Sequence, residues 1–375
     1  MNMNRITNMN MNMNMNRIMN MNMNRNRILI IITIMIIILV FMVLYMQKIA
    51  VEHFYAIPTG HERPFVNVYD NDRNQLKIVL LSHPFTRDSS YEQYKQYKKD
   101  GFIILGISSY NEFPLITSNK HDVLNNPEEK AWKNYNYMTV VDGWLHCFRD
   151  PGKYIKNNNA NKKIPKLLLS ESDFCNTDVY KPDTKIKKQY DFIYICPKDN
   201  DKCDGWVATN KNWELAQKCI KIMCQNYKLK GILVGRKECK LPEDCAALLT
   251  TTGFLSQEKL IRAYRESKFI LLPNITDASP RILTEAMNCD LPLLVNYNIV
   301  GGWKYVDTTS GAFFTNEHDL KKGLEYILTN YQHLTPRKYY TENYGAENSG
   351  VKFKKFIMKH YNEKIDLYKT RYITL

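Results

Sequence analysis

Ser267–Asp307, SKFILLPNITDASPRILTEAMNCDLPLLVNYNIVGGWKYVD, carries the pattern from which the fold is read. Phe269-Ile-Leu-Leu-Pro273 is a short apolar run of the kind that forms a strand covered on both faces of a parallel sheet. Asn274 to Asp277 make a polar loop. Ser279 offers an N-cap, and Pro280 suits the first helical position because its missing N–H leaves no bond unmade. Arg281-Ile-Leu-Thr-Glu-Ala-Met-Asn288 then reads as a short helix with Ile282, Leu283 and Met287 turned inward. A second buried strand follows at Leu291–Val295, and Gly301-Gly302 opens a further loop. Such a strand–loop–helix–strand unit puts a helix start at the carboxyl edge of a sheet. Free N–H groups and the helix dipole make that end a seat for phosphate.

Two carboxylates frame the helix start, Asp277 in the loop and Glu285 inside the helix. A carboxylate suits a vicinal diol because it offers two acceptor oxygens. The order Asp277, seven residues, Glu285-Ala286-Met287, a small turn and the Pro292-containing strand resembles the signature of retaining glycosyltransferases of family 4. Those enzymes have the GT-B fold, two Rossmann-like domains facing a cleft. The resemblance runs from Tyr190 to Asn330 and is strongest in its second half. It implies that Glu285 holds the donor ribose, that Asp277 holds the hydroxyls of the transferred sugar, and that Ser279, Pro280 and Arg281 form the phosphate seat. Two positions depart from the pattern. The family has Glu where Asp277 stands, one methylene longer, and Gly where Asp290 stands. Asp tolerates a left-handed turn better than most residues, so the turn survives.

Upstream, Tyr190–Ile195 is the first strand of this domain. Its loop carries Lys198 and Lys202, and Lys211 precedes an amphipathic helix from Asn212 to Cys224. The resemblance implies two cations here, clamping the donor diphosphate and stabilising charge on the leaving group. Lys211 fits the second, and Lys198 or Lys202 the first. Lys230–Arg236 is the next strand with its Gly-Arg exit, and the resemblance puts Arg236 and Leu255 on the donor side, the latter where the base packs. The helix Gln257–Ser267 completes the unit.

Further out, Leu76–Ser82, Phe102–Gly106, Met138–Val141 and Lys166–Ser170 are strands at βα spacing, with a helix at Tyr91–Lys99. They make a smaller parallel domain lacking the Gly-Gly loop of many family members. His83, Asp142, His146 and Asp173 stand at expected strand ends. By the resemblance this domain supplies a side chain near the reacting carbon, and His146 is the candidate taken forward. The amphipathic run Val351–Tyr361 has the pattern of a helix that crosses back onto the first domain.

Residues 1–27 are a Met-Asn repeat that can form no core. Ile28–Met46 is apolar apart from Thr33, long enough to span a bilayer. Arg5, Arg17, Arg25 and Arg27 precede it and only Lys48 follows closely, which predicts a cytoplasmic N-terminus and translocated domains, luminal in an ER- or Golgi-like compartment. The formal charge of +14 accompanies no nucleic-acid motif, so no nucleic-acid partner is expected. The nine cysteines match no zinc template, and Cys239 with Cys245 is the expected disulfide. The single glycosylation sequon, Asn274-Ile-Thr276, lies on the proposed donor site, so folding hides it or the domain meets no glycosylating machinery.

The reading is an α/β, GT-B-like chain: tail 1–27, transmembrane signal anchor 28–46, stem 47–74, acceptor domain 75–185, nucleotide-sugar domain 186–335 and helical segment 336–375. It predicts sugar transfer from a nucleotide-diphosphate sugar to a glycan, protein or lipid acceptor with retention. No Asp-x-Asp pair stands directly at the end of an expected strand to bind a divalent ion, so metal independence is expected. A nucleotide-sugar epimerase and an inactive membrane-tethered binding module are the alternatives. Donor hydrolysis distinguishes them: free sugar from a transferase, a C2 epimer from the epimerase, neither from the module.

Overall fold

The computed structural model describes residues 64–85, 88–108, 137–152, 164–200, 203–241 and 243–375, with Met35 and Phe113 as single positions. The tail, the apolar run 28–46 apart from Met35, residues 47–63 and Lys202 lie outside the described residues. Among the described residues no helix is long and apolar enough to cross a membrane.

Residues 61–375 form one compact unit that holds two six-stranded sheets. The second sheet contains β6 (Tyr190–Ile195), β7 (Gly231–Val234), β8 (Leu249–Thr252), β9 (Ser267–Leu272), β10 (Leu293–Asn296) and β11 (Gly311–Phe314). All are parallel, in the order β11-β10-β9-β6-β7-β8. The chain runs outward one way from β6 and then restarts beside it at β9. Ligands of open α/β sheets sit at such a reversal, outside the carboxyl ends of the strands.

Alternate side chains of each strand enter different cores, as a pleated strand requires. Phe192, Tyr194, Phe269 and Leu271 face α4 (Trp213–Tyr227) and α7 (Leu320–Asn330). Ile193, Ile195, Ile270 and Leu272 face α5 (Gln257–Glu266), α6 (Arg281–Asn288) and α8 (Pro336–Asn343).

The first sheet has the order β12-β1-β2-β3-β4-β5. Here β2 (Gln75–Leu81), β3 (Ile103–Ile107), β4 (Gly143–His146) and β5 (Lys166–Leu168) are parallel. β1 (Phe65–Asp70) is antiparallel to β2 and to β12 (Ile373–Thr374). α1 (Asp88–Lys99) lies beyond β2. The long helix α9 (Gly345–Tyr361) covers one face of this sheet with Phe353, Phe356, Ile357 and Tyr361. Each such burial stabilises by about 1.5–3 kcal/mol, so α9 returns from the second domain to become part of the first core.

Three expectations change. Residues 65–70, read as stem, are a buried strand: pairing with both β2 and the chain's far end covers a segment whose polar Asn67 and Asp70 disguise it. Met138–Val141 falls in a helical turn, α2 (Tyr137–Val140), and the strand begins at Gly143. A four-residue apolar run carries no periodicity to tell the two apart. Because β1 ends at Asp70, the pair Asp70-Asn-Asp72 does stand at a strand end. Asp70, however, accepts from the Asp72 and Asn74 amides and from Asn74 Nδ2, and shapes the turn into β2.

Candidate active site

The loops after β6 and β9, on either side of the strand reversal, are tied together. α3 (Trp206–Asn210) is followed by Lys211, which leads into α4. Lys211 Nζ lies 2.6 Å from Asp277 Oδ2, the two side chains being 19% and 12% exposed. Asn274 Nδ2 donates to the same oxygen at 3.0 Å. Asn212 Nδ2 donates to Pro273 O at 3.0 Å, and Thr276 Oγ1 bonds Asn210 Oδ1. The Lys211 carbonyl accepts from buried Tyr194 at 3.1 Å, so the lysine is held from both ends. Asp277 thus has one oxygen fixed by two donors, and its other oxygen accepts no hydrogen bond from the described residues.

α6 has the expected bounds, but its cap differs. Pro280 is the capping residue. The Ser279 hydroxyl is spent instead on the first domain, accepting from Ser172 N and bonding Ser172 Oγ, each at 3.0 Å. Arg281 is exposed and pairs with Glu171 at 3.2 Å. The Gly301-Gly302 loop lies against the start of α6: Gly301 N donates to Asp277 O at 2.9 Å. A Cβ on Gly301 would stand 1.8 Å from the Ala278 carbonyl, so only glycine permits this approach.

Glu285 accepts from the buried Tyr264 hydroxyl at 3.0 Å. Burial raises the pKa of its carboxyl above the ordinary range, against the lowering effect of the Tyr264 and Tyr180 hydroxyls and the Arg281 and Lys211 cations. Glu285 is half-buried, and its carboxylate on α6 is bonded to Tyr264 of α5. Asp290 does adopt the left-handed turn, with φ +61°. Its carboxylate accepts from Arg337 N at 3.1 Å, so the same residue also caps α8.

The remaining candidates divide. Leu255 is half-buried against the second core just before α5. Lys198 is ion-paired with Glu238. Arg236, expected at the donor, is instead wholly buried, bonded to Cys196 Sγ and Cys203 O and lying over the Trp213 ring. Its neighbour Cys239 is joined to Cys203, not to Cys245. Sequence proximity misled here, because the loops after β6 and β7 lie side by side. Asp199 caps α3 through the Val207 and Ala208 amides. Asn274 is fully buried, so folding hides the sequon.

In the first domain, Asp142 lies at the amino end of β4, held by Lys98 and Ile104 N, away from the site. His83 follows the carboxyl end of β2 and bonds Ser82 Oγ through Nδ1. His146 ends β4 at the carboxyl edge and is 7% exposed, with Nδ1 unpartnered. Burial, helped by the Lys304 and Lys166 cations, lowers its pKa to about 4. The residues beyond sequence reach are Asn274 and Tyr264, whose only signals were a sequon and a place on an amphipathic helix.

This arrangement of two sheets is found in known structures. Sucrose-phosphate synthase from Thermosynechococcus elongatus is similar over 76% of this chain and 74% of its own, at 11% identity and a TM-score of 0.53. A glycosyltransferase from Rickettsia africae ESF-5 is similar over 76% of each chain, at 13% identity and a TM-score of 0.50. The fold is the GT-B fold of glycosyltransferases. No family model matches the chain, and no curated protein matches it in sequence.

Proposed function

We propose that the chain is a membrane-anchored glycosyltransferase, moving a sugar from a nucleotide-diphosphate sugar to a glycan, protein or lipid acceptor with retention of configuration. The observation that carries this reading is the Lys211–Asp277 pair at the strand reversal of the second sheet. It places a cation for the leaving diphosphate beside a carboxylate for the sugar hydroxyls. Glu285 takes the ribose, Leu255 the base, and the start of α6 at Pro280 and Arg281 the phosphates. As the anomeric bond breaks, positive charge develops on the sugar and negative charge on the diphosphate. Lys211, with Lys198 or Lys202, stabilises the second in place of a metal ion. The acceptor then attacks from the face the diphosphate leaves. His146 ends β4 on the first-domain side, and burial keeps its imidazole neutral at physiological pH.

The apolar run Ile28–Met46 and the arginines before it support the anchor and its orientation. The Cys203–Cys239 disulfide supports an oxidising compartment for the folded domains. The test uses the full chain in detergent with a panel of nucleotide sugars. Release of free sugar and nucleoside diphosphate is expected. Failure to bind any nucleotide would remove the reading, and release of a C2 epimer would replace it with the epimerase.

A further inference from the structure

Arg149 lies three residues beyond the end of β4, at the carboxyl edge of the first sheet. Its guanidinium stands over three aromatic rings of the second domain: 3.9 Å from Tyr297, 5.4 Å from Trp303 and 5.4 Å from Phe313. Tyr297 follows β10 directly, is 51% exposed and meets Phe313 edge-on at 5.5 Å. The seat is fixed to the first domain by Trp303 Nε1, which donates to Cys147 O at 2.8 Å. It is fixed to the candidate site by the turn through Gly301, whose amide is bonded to the Asp277 carbonyl.

Arg149 itself is exposed, and no carboxylate among the described residues pairs with it. Its side chain donates no hydrogen bond to any described residue. A guanidinium held over an aromatic ring leaves its rigid fork of N–H donors unpaired, a shape that matches the paired oxygens of a phosphate or carboxylate. A lysine would offer no such fork. The rings hold the guanidinium without neutralising it.

Resting on the glycosyltransferase reading, we infer that Arg149 on its aromatic seat binds an anionic group of the acceptor, a phosphate or a carboxylate. By that reading the donor diphosphate already has its cation in Lys211, paired with Asp277. Arg149 comes from the first domain, the side assigned to the acceptor, so the charge it complements belongs to the acceptor.

The test is calorimetry on the full chain in detergent, saturated with a nucleoside diphosphate. The probes are glucose against glucose 6-phosphate and glucuronate, and glycerol against glycerol 3-phosphate. At least one anionic probe should bind at least tenfold more tightly than its neutral partner. Preference for the phosphates assigns a phosphate-bearing acceptor, and preference for glucuronate a carboxylate. Arg149→Gln should abolish the preference with nucleotide affinity unchanged, while Arg149→Lys, which keeps charge but not the fork, should retain part of it. Equal affinities in the native chain, or a preference that survives Arg149→Gln, overturn the inference and leave the donor reading standing. A fall in nucleotide affinity in Arg149→Gln moves the residue to the donor and also overturns it. Absence of nucleotide binding in the native chain removes the donor reading, and this inference with it.

Discussion

Two lysine–aspartate pairs of equal length sit in this chain in opposite surroundings. Lys304 and Asp173 are 2.6 Å apart and 5% and 1% exposed; Lys211 and Asp277 are 2.6 Å apart and 19% and 12% exposed. Asp173 is saturated. One oxygen takes Lys304 and the Ser170 amide, the other takes the Tyr305 hydroxyl, and Ser170 Oγ accepts a second bond from Lys304. Around it, Tyr340 and Ser349 bond the Asp173 carbonyl, so the linker after β5, the loop after β10 and both C-terminal helices meet at one closed point. Asp277 keeps an oxygen in reserve, and buried Asn274 beside it has an Oδ1 without a partner. Both aspartates stand out in the sequence as candidate site acids. What separates the closed pair from the open one is what each leaves unbonded.

The largest expected effect breaks the closed pair. Lys304→Met removes the cation and strands Asp173 in the interior, which costs about 3–5 kcal/mol for a buried pair. Urea unfolding of the purified variant should show it, and a loss below about 1 kcal/mol would mean the junction does not hold the domains. Next comes pH, through His146 beside Lys304. Its folded pKa of about 4 lies below the ordinary 6.5, so the unfolded chain binds the proton first. Stability from this group is therefore full above about pH 6.5 and is lost as pH falls toward 4, by roughly 3 kcal/mol in all. His146→Gln should flatten the unfolding midpoint across that window. An unchanged slope would show that the imidazole is solvated.

The second domain was legible because its strands are short apolar runs punctuated by Pro and Gly, and because Asp277 and Glu285 share one unit. α6 has the bounds its pattern predicts. The first domain was less so. β1 owes its burial to β12, at the other end of the chain, and no local pattern reports such a pairing. Arg236 carried the charge of a ligand residue, yet Trp213 and the cysteines of neighbouring loops enclose it. Asn274 heads a glycosylation sequon, yet it is buried beside Asp277. In each case tertiary neighbours overrode a local signal.

Breaking the open pair should act on turnover rather than folding. Asp277→Ala should lower turnover about 100-fold, the scale of losing placement at the reacting centre, with nucleotide affinity little changed. Asp277→Glu lengthens the reach by about 1.5 Å and should lower the rate on the native donor or shift preference among sugars. Initial rates across several donors measure both. Near-native turnover in Asp277→Ala would make the residue a loop acid and remove it from the site.

The smallest effect tests whether the open pair's neighbour belongs to the same site. Glu285 is half-buried and bonded to Tyr264, which by itself would suit a structural acid. Glutamine is nearly isosteric and its Oε1 still accepts from the tyrosine, so Glu285→Gln should keep the fold. What it loses is the charge and one acceptor oxygen, the features a ribose diol would use. Nucleotide binding should therefore weaken by about 1–3 kcal/mol, the scale of a charged hydrogen bond. Because burial raises the pKa of the native carboxyl, acidification should reproduce part of that loss in the native chain. The protonated acid has one fewer acceptor to offer, so affinity should fall with pH in the native protein and stay flatter in the glutamine variant. Calorimetric titrations at several pH values compare the two. Equal affinities at neutral pH would leave Glu285 a partner of Tyr264 alone and restrict the donor site to the Lys211–Asp277 side.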